Sequence, residues 1–370
     1  MLNPKLNIII SGGGTGGHIF PAVAIAQALM KRNAENNILF VGANGRMEME
    51  KVPAAGFRIK GLNIAGFQRR WAFSNVLLPF KIIASLWKAR AIVREFKPNV
   101  AIGVGGYASG PLLFAATSMG IPALIQEQNS FAGVTNRILA KRAKRICVAY
   151  DGMDKYFPKD RILLTGNPVR SDLKELQSKR DEALSYFGLR SDRPVLLVIG
   201  GSLGARTINA AITSGIDFIR ENQVQLVWQT GKGGFGDATS RVKGLEAEGI
   251  KAYEFISRMD LAYAIADVVV SRAGASSVSE LALAGKAAIL VPSPNVAEDH
   301  QTKNAMALVA KQAALLIKDS AASLQLITAA LQLIKDNTQQ TALRAQIARL
   351  ALPDAAEQIA EEVYRLAAKK

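Results

Sequence analysis

The sequence has little cysteine and no long apolar run. Its 370 residues include a single cysteine, Cys147, so a framework of internal disulfides is excluded. We expect Cys147 to be a small buried core residue. No segment reaches the about 20 apolar residues that a membrane-spanning helix needs. The apolar run Ile8–Ile10 is too short for a signal peptide, so we expect a globular chain without such a leader.

Acidic residues are scarce beside basic ones. The chain has 30 Asp and Glu against 46 Lys and Arg, which gives a formal net charge of +16. Such an excess attracts nucleic acid, anionic lipid or phosphorylated small molecules. Because the basic residues are dispersed and no nucleic-acid-binding motif is recognisable, nucleic acid is the least favoured of these partners.

Glycine, in contrast, is concentrated in two turns that lie about half a chain apart. Glycine lets the backbone approach a ligand closely, and N–H groups at the start of the following helix bind anions. Either turn alone is explained equally well as a plain connection from strand to helix. Together they predict two similar domains whose loops face one cleft. The turns read Gly12-Gly13-Gly14-Thr15-Gly16-Gly17-His18 and Gly200-Gly201-Ser202-Leu203-Gly204-Ala205-Arg206.

Strand patterns alternate with helical patterns along the chain. This alternation predicts an α/β fold with two Rossmann-like domains, each a doubly wound parallel sheet. One helix is predicted over Pro21–Arg32, with Pro21 in its first turn. The predicted strands are Asn7–Ile10, Ile38–Val41, Val100–Val104, Ala123–Gln126, Arg145–Val148, Val195–Ile199, Leu226–Gln229, Ala252–Phe255, Val268–Ser271, Ala288–Val291 and Leu315–Ile317.

The domain boundary is predicted where glycine and proline interrupt the first series of strands. The first domain is expected to span residues 1–168 and the second residues 169–350. A charged helix, Leu173–Leu184, is predicted just after the boundary. The terminal helical segment, 351–370, is expected to pack back on the first domain.

His18 is one of only two histidines and follows the first glycine turn, at a predicted helix start. The amides of a helix start favour the neutral imidazole that a general base needs. We therefore predict that His18 is a general base; a structural histidine is the alternative. The match Gly12-x-Gly14-x-x-Gly17 also suggests a dinucleotide site. NAD is disfavoured, because Phe40–Asn44 supplies no acidic residue for a ribose diol.

The second half of the chain carries the features of a nucleotide site. Ser271–Glu280 combines a strand end, a glycine turn and small residues that open a helix, so a pyrophosphate can reach the helix N–H groups. Glu280 lies deeper, where its carboxylate suits ribose hydroxyls. A plain capped helix with a salt-bridged Glu280 is the alternative. Gln301, near the start of a later helix, offers a donor and an acceptor to a sugar.

The sequence contains no Asp-x-Asp pair, the motif with which many nucleotide-sugar enzymes hold a divalent metal. We therefore predict a reaction without metal or other cofactor. Helix N–H groups and Arg170 would hold the leaving diphosphate instead. Charge-assisted hydrogen bonds of this kind contribute about 1.5–3 kcal/mol each.

Two of the three tryptophans, Trp71 and Trp87, lie in one apolar stretch with basic residues on both sides. Pro79 and Lys81 interrupt this stretch, so it cannot span a bilayer. One interpretation is a core helix preceded by a loop. The other is a surface patch that enters the membrane interface, with its basic residues against anionic headgroups.

Six motifs, in this order, resemble those of the bacterial N-acetylglucosaminyltransferases that make lipid II in peptidoglycan synthesis. The resemblance covers nearly the whole chain. The motifs are Gly13-Gly14-Thr15-Gly16-Gly17-His18, Gly105-Gly106-Tyr107-x-Ser109-Gly110-Pro111, Glu127-Gln128-Asn129, Gly166-Asn167-Pro168-Val169-Arg170, Gly200-Gly201-Ser202-x-Gly204-Ala205-Arg206 and the Ser279-Glu280 helix.

This resemblance implies a GT-B fold, in which the second domain holds UDP-N-acetylglucosamine. The first domain would hold the acceptor, undecaprenyl-pyrophosphoryl-N-acetylmuramoyl pentapeptide (lipid I), and would carry a membrane-contacting patch. The 4-hydroxyl of the muramoyl sugar would displace UDP with inversion. The resemblance also implies a peripheral enzyme at the cytoplasmic face of the bacterial inner membrane.

The resemblance also implies roles for individual residues. Tyr107 and Glu127 would face the cleft from the acceptor side, and Glu127 is the alternative general base to His18. Leu203 departs from the family, which often has glutamine there, so a polar donor contact is either missing or made by backbone. The implied donor-binding residues are Thr15, Gly16, Gly17, Asn129, Arg170, Ser202, Ile256, Ala275, Ser276, Ser277, Val278, Ser279, Glu280 and Gln301.

Two other functions share parts of this pattern. Another GT-B enzyme, such as a lipid glycosyltransferase or a UDP-sugar epimerase, would use the same donor motifs. A non-catalytic protein that binds nucleotide sugars or lipids would need the loops but not the two histidines.

Overall fold

The computed structural model describes residues 3–64, 78–169, 171–201 and 203–368. The chain forms two compact units. The first unit comprises Met1–Val169 and Asp354–Lys370, and the second comprises Arg170–Pro353.

The first unit is built on a parallel sheet of seven strands in the order β3-β2-β1-β4-β5-β6-β7. Its central strand β1 pairs with β2 on one side and β4 on the other, so that Ile9 lies between Leu39 and Ala101. Apolar residues fill both faces of this sheet, as expected for strands that helices cover on both sides. The strands are β1 (Asn7–Ser11), β2 (Asn37–Ala43), β3 (Arg58–Leu62), β4 (Val100–Gly103), β5 (Ala123–Glu127), β6 (Arg145–Val148) and β7 (Ile162–Leu164).

The helices of the first unit come from both ends of the chain. They are α1 (Gly16–Arg32), α2 (Glu48–Ala54), α3 (Leu78–Phe96), α4 (Ser109–Ser118), α5 (Val134–Leu139) and the last helix, α14 (Ala355–Ala368).

The second unit repeats this plan with six parallel strands in the order β10-β9-β8-β11-β12-β13. The strands are β8 (Val195–Ile199), β9 (Gln225–Gln229), β10 (Ile250–Tyr253), β11 (Val268–Ser271), β12 (Ala287–Leu290) and β13 (Leu315–Leu316). The helices are α6 (Arg180–Phe187), α7 (Arg206–Glu221), α8 (Phe235–Val242), α9 (Met259–Ile265), α10 (Ala275–Ala284), α11 (His300–Val309), α12 (Ala322–Lys335) and α13 (Asn337–Ala348). The predicted fold class, two Rossmann-like parallel sheets, is confirmed.

The last helix, α14, packs on the first unit, against α1. Its apolar face enters the same core as Ile25 and Leu29 of α1. Two polar contacts support this packing: Asn36 donates to the Tyr364 hydroxyl at 2.7 Å, and Arg145 donates to Glu362 at 2.8 Å.

Two predictions of local structure are wrong. The helix α1 begins at Gly16 rather than Pro21, because His18 and Ile19 both donate their N–H groups to Thr15 O. Pro21 therefore lies inside the helix. The helix predicted over Leu173–Leu184 is instead two short 3₁₀ turns followed by α6. Leu173 in the first turn and Leu176 just before the second are both buried, and residues 175 and 176 separate the two turns.

Among the described residues, no helix combines the length and apolarity needed to cross a membrane. The stretch with two tryptophans is described only from Leu78 onward, so Trp71 lies outside the described residues. Trp87 of α3 is 72% exposed and Ile83 is 53% exposed, so this helix presents apolar side chains to solvent.

Candidate active site

The first glycine loop connects β1 to α1 and is held by a buried glutamate, Glu48. The Glu48 carboxylate accepts from Gly14 N at 2.9 Å and from Ala43 N at 3.0 Å. Glu48 is 1% exposed. A Cβ on Gly13 would lie 2.3 Å from this carboxylate, so only glycine leaves room for it. Gly14 has a φ of +87°, which glycine adopts without strain.

His18 is the third residue of α1, and its ring is anchored to this loop. Nδ1 lies 3.0 Å from Gly13 O and 3.3 Å from the Thr15 hydroxyl. Because a carbonyl oxygen only accepts hydrogen bonds, the contact with Gly13 places the proton of a neutral ring on Nδ1. Nε2 is then the basic nitrogen, as a general base requires. The predicted donor contacts Gly16 and Gly17 form the first turn of the same helix.

A second glycine turn, after β4, packs directly on the first loop. Gly106 has a φ of +89°, and a Cβ there would lie 2.3 Å from Gly13 O. A Cβ on Gly105 would lie 2.8 Å from His18 Nε2, so the imidazole rests against backbone. Tyr107, the predicted acceptor-side residue, follows this turn and is 47% exposed.

Glu127, the alternative base, ends β5 and is 2% exposed. Its carboxylate accepts from Asn129 N and Gly133 N, both at 3.1 Å, and from Asn136 Nδ2 at 2.9 Å. Burial raises the pKa of Glu127, and the hydrogen bonds from Asn136, Asn129 and Gly133 oppose that shift. Glu127 therefore shapes the loop that carries Asn129, and its oxygens are already engaged by donors.

Amide side chains connect this region to the end of the first unit. Gln126 donates to Asn167 at 2.9 Å, and Asn167 donates to Gln128 O at 3.0 Å. The motif that contains Asn167 is thereby held beside the end of β5. Two predicted donor contacts, Arg170 and Ser202, lie outside the described residues.

The second glycine loop connects β8 to α7 and is held mainly by backbone. Gly200 N donates to Gln229 O at 2.9 Å, and Gly204 N donates to Gly201 O at 3.1 Å. A Cβ on Gly231 would lie 2.1 Å from Gly204 N, so this loop rests on the turn after β9. Leu203, where the family often has glutamine, is 86% exposed.

The helix α10 begins after Gly274 and presents its first N–H groups at the end of β11. Gly274 O accepts from Val278 N at 2.9 Å, which starts the helix in regular α geometry. The predicted diphosphate-binding residues Ala275, Ser276 and Ser277 form its first turn. Ser279 and Glu280 follow, and Glu280 accepts from the Tyr263 hydroxyl at 3.1 Å. The helix opening suits an anion, and Glu280 suits a hydroxyl-bearing group.

Gln301 is the second residue of α11 and shapes the loop before that helix. Its carbonyl oxygen accepts from Ser293 N at 2.8 Å, so the amide nitrogen is the group it offers to a sugar. Glu298 and Asp299 have φ angles of 57° and 52°, a left-handed pair that is strained for residues other than glycine. Such strain clusters at ligand-binding loops.

Ile256, the predicted uracil contact, lies after β10 and is 3% exposed. Its N–H donates to the Gln229 side chain at 3.0 Å. A backbone hydrogen bond from Ile256 to uracil would therefore use its carbonyl oxygen as the acceptor.

Two groups of supporting residues escape motif-based prediction. One is Glu48, described above. The sequence feature that could have identified it is its position just after β2, at the start of a helix. The other joins the end of β11, the start of α7 and the turn before α12: Arg272 pairs with Asp319, and Asp319 accepts from the Thr207 hydroxyl at 2.9 Å. Arg272 also donates to Val291 O at 3.0 Å.

Within the described ranges, no cluster of three His, Cys, Asp or Glu side chains could hold a metal ion. The metal-independent reaction stays a prediction, because ligands can also come from a substrate diphosphate.

The chain matches two family models along most of its length. Residues 8–148 match the N-terminal domain of glycosyltransferase family 28, and residues 195–359 match the C-terminal domain of the same family. The chain therefore belongs to glycosyltransferase family 28.

Within that family, two relatives share the name UDP-N-acetylglucosamine--N-acetylmuramyl-(pentapeptide) pyrophosphoryl-undecaprenol N-acetylglucosamine transferase. The Parabacteroides distasonis protein is 54% identical over 99% of this chain and 100% of its own length. The Phocaeicola vulgatus protein is 55% identical over 100% of this chain and 98% of its own. The crystal structure of Acinetobacter baumannii MurG has a TM-score of 0.78 at 28% identity, covering 98% of this chain and 100% of that chain. The resemblance inferred from the six motifs is confirmed.

Proposed function

We propose that this protein transfers N-acetylglucosamine from UDP-N-acetylglucosamine to lipid I and so forms lipid II. The observation that carries this proposal is the full-length similarity to relatives that bear this activity in their names, at 54% and 55% identity. The first unit supplies an anchored imidazole, and the second supplies a helix opening suited to a diphosphate. Both parts are what an inverting sugar transfer from a nucleoside diphosphate needs.

In the proposed reaction, the 4-hydroxyl oxygen of the muramoyl sugar attacks C1 of N-acetylglucosamine. The C1–oxygen bond to the diphosphate breaks, and UDP leaves with the bonding electron pair. The hydroxyl proton passes to His18 Nε2, which the Nδ1 contact with Gly13 O makes the basic nitrogen. We favour His18 over Glu127 as the base, because the Glu127 carboxylate is buried and already accepts from three residues.

On the donor side, we propose that the opening of α10 binds the diphosphate. The N–H groups of Ala275, Ser276 and Ser277 point out of the helix start, where anions are stabilised by about 0.3–1 kcal/mol or more. Glu280 would accept from ribose hydroxyls, and Gln301 would donate to the sugar. Arg170 and Ser202 keep the donor-binding roles that the resemblance implies.

We also propose that the first unit binds the cytoplasmic surface of the inner membrane as a peripheral protein of cell-wall synthesis. Exposed apolar residues lie on three helices, and α4 packs against both α3 and α5. The exposed fractions run from 41% for Phe114 to 72% for Trp87, with Ile83 and Ile138 between them. Lys88 and Arg90 are exposed on the same helix as Trp87. Apolar side chains bordered by cations are suited to an anionic lipid surface.

The decisive experiment is a transfer assay with UDP-N-acetylglucosamine and a soluble lipid I analogue. The expected product is the β-1,4-linked disaccharide, formed equally with and without a chelator. A parallel incubation with the donor alone distinguishes an epimerase, which would convert UDP-N-acetylglucosamine without acceptor. Absence of disaccharide in a protein that binds UDP would reject the proposed activity.

A further inference from the structure

We propose that Glu48 is a positioning residue for His18, acting through the single peptide group that joins Gly13 to Gly14. This inference rests on the proposed function, in which His18 is the general base. Glu48 is absent from the six motifs, and it comes from the start of α2 rather than from the glycine loop.

Two hydrogen bonds meet on one peptide group. The Glu48 carboxylate accepts from Gly14 N at 2.9 Å, and Gly13 O accepts from His18 Nδ1 at 3.0 Å. Gly13 O and Gly14 N belong to the same planar, conjugated amide. A carboxylate on the N–H side increases the negative charge on the oxygen, which strengthens the bond from the ring. Such cooperative strengthening amounts to about 10–30% per bond.

The carboxylate is fixed tightly enough to set the orientation of this peptide. Glu48 is 1% exposed, and its other oxygen accepts from Ala43 N at 3.0 Å. Cβ atoms on Gly13 and Gly42 would lie 2.3 and 2.6 Å from Glu48, so two glycines open the space it fills. Gly14, with φ at +87°, then turns the chain toward α1.

The arrangement resembles a carboxylate–histidine pair with one amide inserted between its members. In a direct pair, the carboxylate fixes the tautomer and the orientation of the ring. Here the amide transmits both effects, and the negative charge stays buried beneath the loop. The ring is held in the tautomer with its proton on Nδ1, and Nε2 is kept as the proton acceptor.

The first test is spectroscopic and measures the tautomer of His18 in the wild-type protein. The chain has two histidines, so ¹⁵N-labelled histidine gives two ring systems, and His18→Ala identifies the signals of His18. We expect the neutral His18 ring to carry its proton on Nδ1. A ring protonated on Nε2 would overturn the proposal, whatever any variant does.

The second test is Glu48→Gln, which keeps the size of the side chain and removes its charge and one acceptor. We expect part of the His18 population to move to the Nε2-protonated tautomer. The turnover number should fall on the order of tenfold or more, as for other orienting partners of a histidine, while the KM for the donor changes little. Glu50→Gln is the matched control, because Glu50 is exposed on the same helix.

A double-mutant cycle separates positioning from general loss of structure. If Glu48 acts through His18, Glu48→Gln should cost little further turnover in a His18→Ala background. The proposal would be rejected if the losses of turnover in the two single variants added fully in the double variant. It would also be rejected if Glu48→Gln folded and kept both the wild-type tautomer of His18 and the wild-type turnover. Failure of the proposed function is distinguishable: a wild type that makes no disaccharide rejects the function, while the tautomer measurement still tests the link between Glu48 and His18.

Discussion

The two glycine loops follow equivalent central strands but are stabilised by different chemistry. The first is held by a buried carboxylate, since Glu48 accepts from Gly14 N and Ala43 N. The second is held by neutral groups: Gly200 N donates to Gln229 O, and Gly204 rests on Gly231. In two similar sheets, therefore, the glycine loop is held by a charged side chain in the first unit and by neutral backbone groups in the second.

The difference fits the proposed roles: His18 follows the first loop, and Ser202 of the second loop is an implied donor contact. A carboxylate about 4 Å from a phosphate oxygen would cost about 4 kcal/mol at an effective dielectric constant near 20. Neutral amides beside the second loop avoid that repulsion. In the first unit the negative charge helps to orient an imidazole. The two loops also pack against different neighbours in their sheets. Gly13 packs on the turn after β4, and Gly204 packs on the turn after β9.

The largest expected effect comes from removing the imidazole. His18→Ala should lower turnover by about 10²–10⁴-fold, the usual contribution of a general base. Binding of UDP should persist, because the proposed diphosphate site is in the second unit. The measurements are the transfer assay and titration calorimetry with UDP. Unchanged turnover in His18→Ala, together with loss of turnover in Glu127→Gln, would assign the base to Glu127.

Alanine substitution at Gly106 and at Gly231 tests whether the two glycine loops have separate roles. A Cβ on Gly106 would meet Gly13 O at 2.3 Å, and a Cβ on Gly231 would meet Gly204 N at 2.1 Å. Strain of this kind costs roughly 1–3 kcal/mol. We expect Gly106→Ala mainly to lower the turnover number and Gly231→Ala mainly to raise the KM for the donor.

The matched control for both variants is Gly120→Ala. Gly120 has a φ of +77° but no atom within 4 Å of its added Cβ, so it tests backbone strain without collision. The same kinetic change in both glycine variants would show that the two loops do not have separate roles.

Removing exposed apolar side chains tests whether membrane binding belongs to the first unit alone. Trp87→Ala combined with Phe114→Ala should weaken binding to anionic vesicles at least about tenfold, because burying even one large apolar side chain contributes about 1.5–3 kcal/mol. Activity on a short soluble acceptor should be retained. The control is Leu324→Ala in the second unit, where Leu324 is 85% exposed. Equal vesicle binding by the double variant and wild type would contradict the proposal.

The smallest expected effect is a difference in pH dependence between the units. Burial and repulsion from Arg344 lower the pKa of Lys286 from 10.5 to about 8. The unfolded chain therefore binds more protons at Lys286 between about pH 8 and 10.5, and the free energy of unfolding rises with pH there. Burial raises the pKa of Glu127 in the first unit. The contribution of Glu127 to the free energy of unfolding therefore falls as the pH rises above the ordinary pKa of a glutamate.

Denaturant unfolding at several pH values checks the Lys286 prediction. Lys286→Met should flatten the rise between pH 8 and 10 by on the order of 1 kcal/mol, whereas the exposed Lys335→Met should leave it unchanged. An equally steep rise in Lys286→Met would show that its environment does not disfavour the ammonium.

Sequence patterns predicted the sheets well, because most strands are continuous apolar runs such as Val195–Ile199. They missed the β3 strand, which reads Arg-Ile-Lys-Gly-Leu at a sheet edge where polar residues are tolerated. They also missed β7, which is apolar but only three residues long. They also missed Glu48, because its role depends on β2 lying beside β1. That adjacency is a property of the sheet and is not visible in the spacing of residues.

The return of α14 to the first unit has a consequence for synthesis of the protein on the ribosome. Ile359 and Val363 complete the core that contains Ile25 of α1, yet about 330 residues separate the two helices along the chain. The whole second unit is translated before this core can close. During that interval the part of α1 that α14 covers lacks its partner, and transiently exposed apolar surface of this kind favours aggregation until α14 is made.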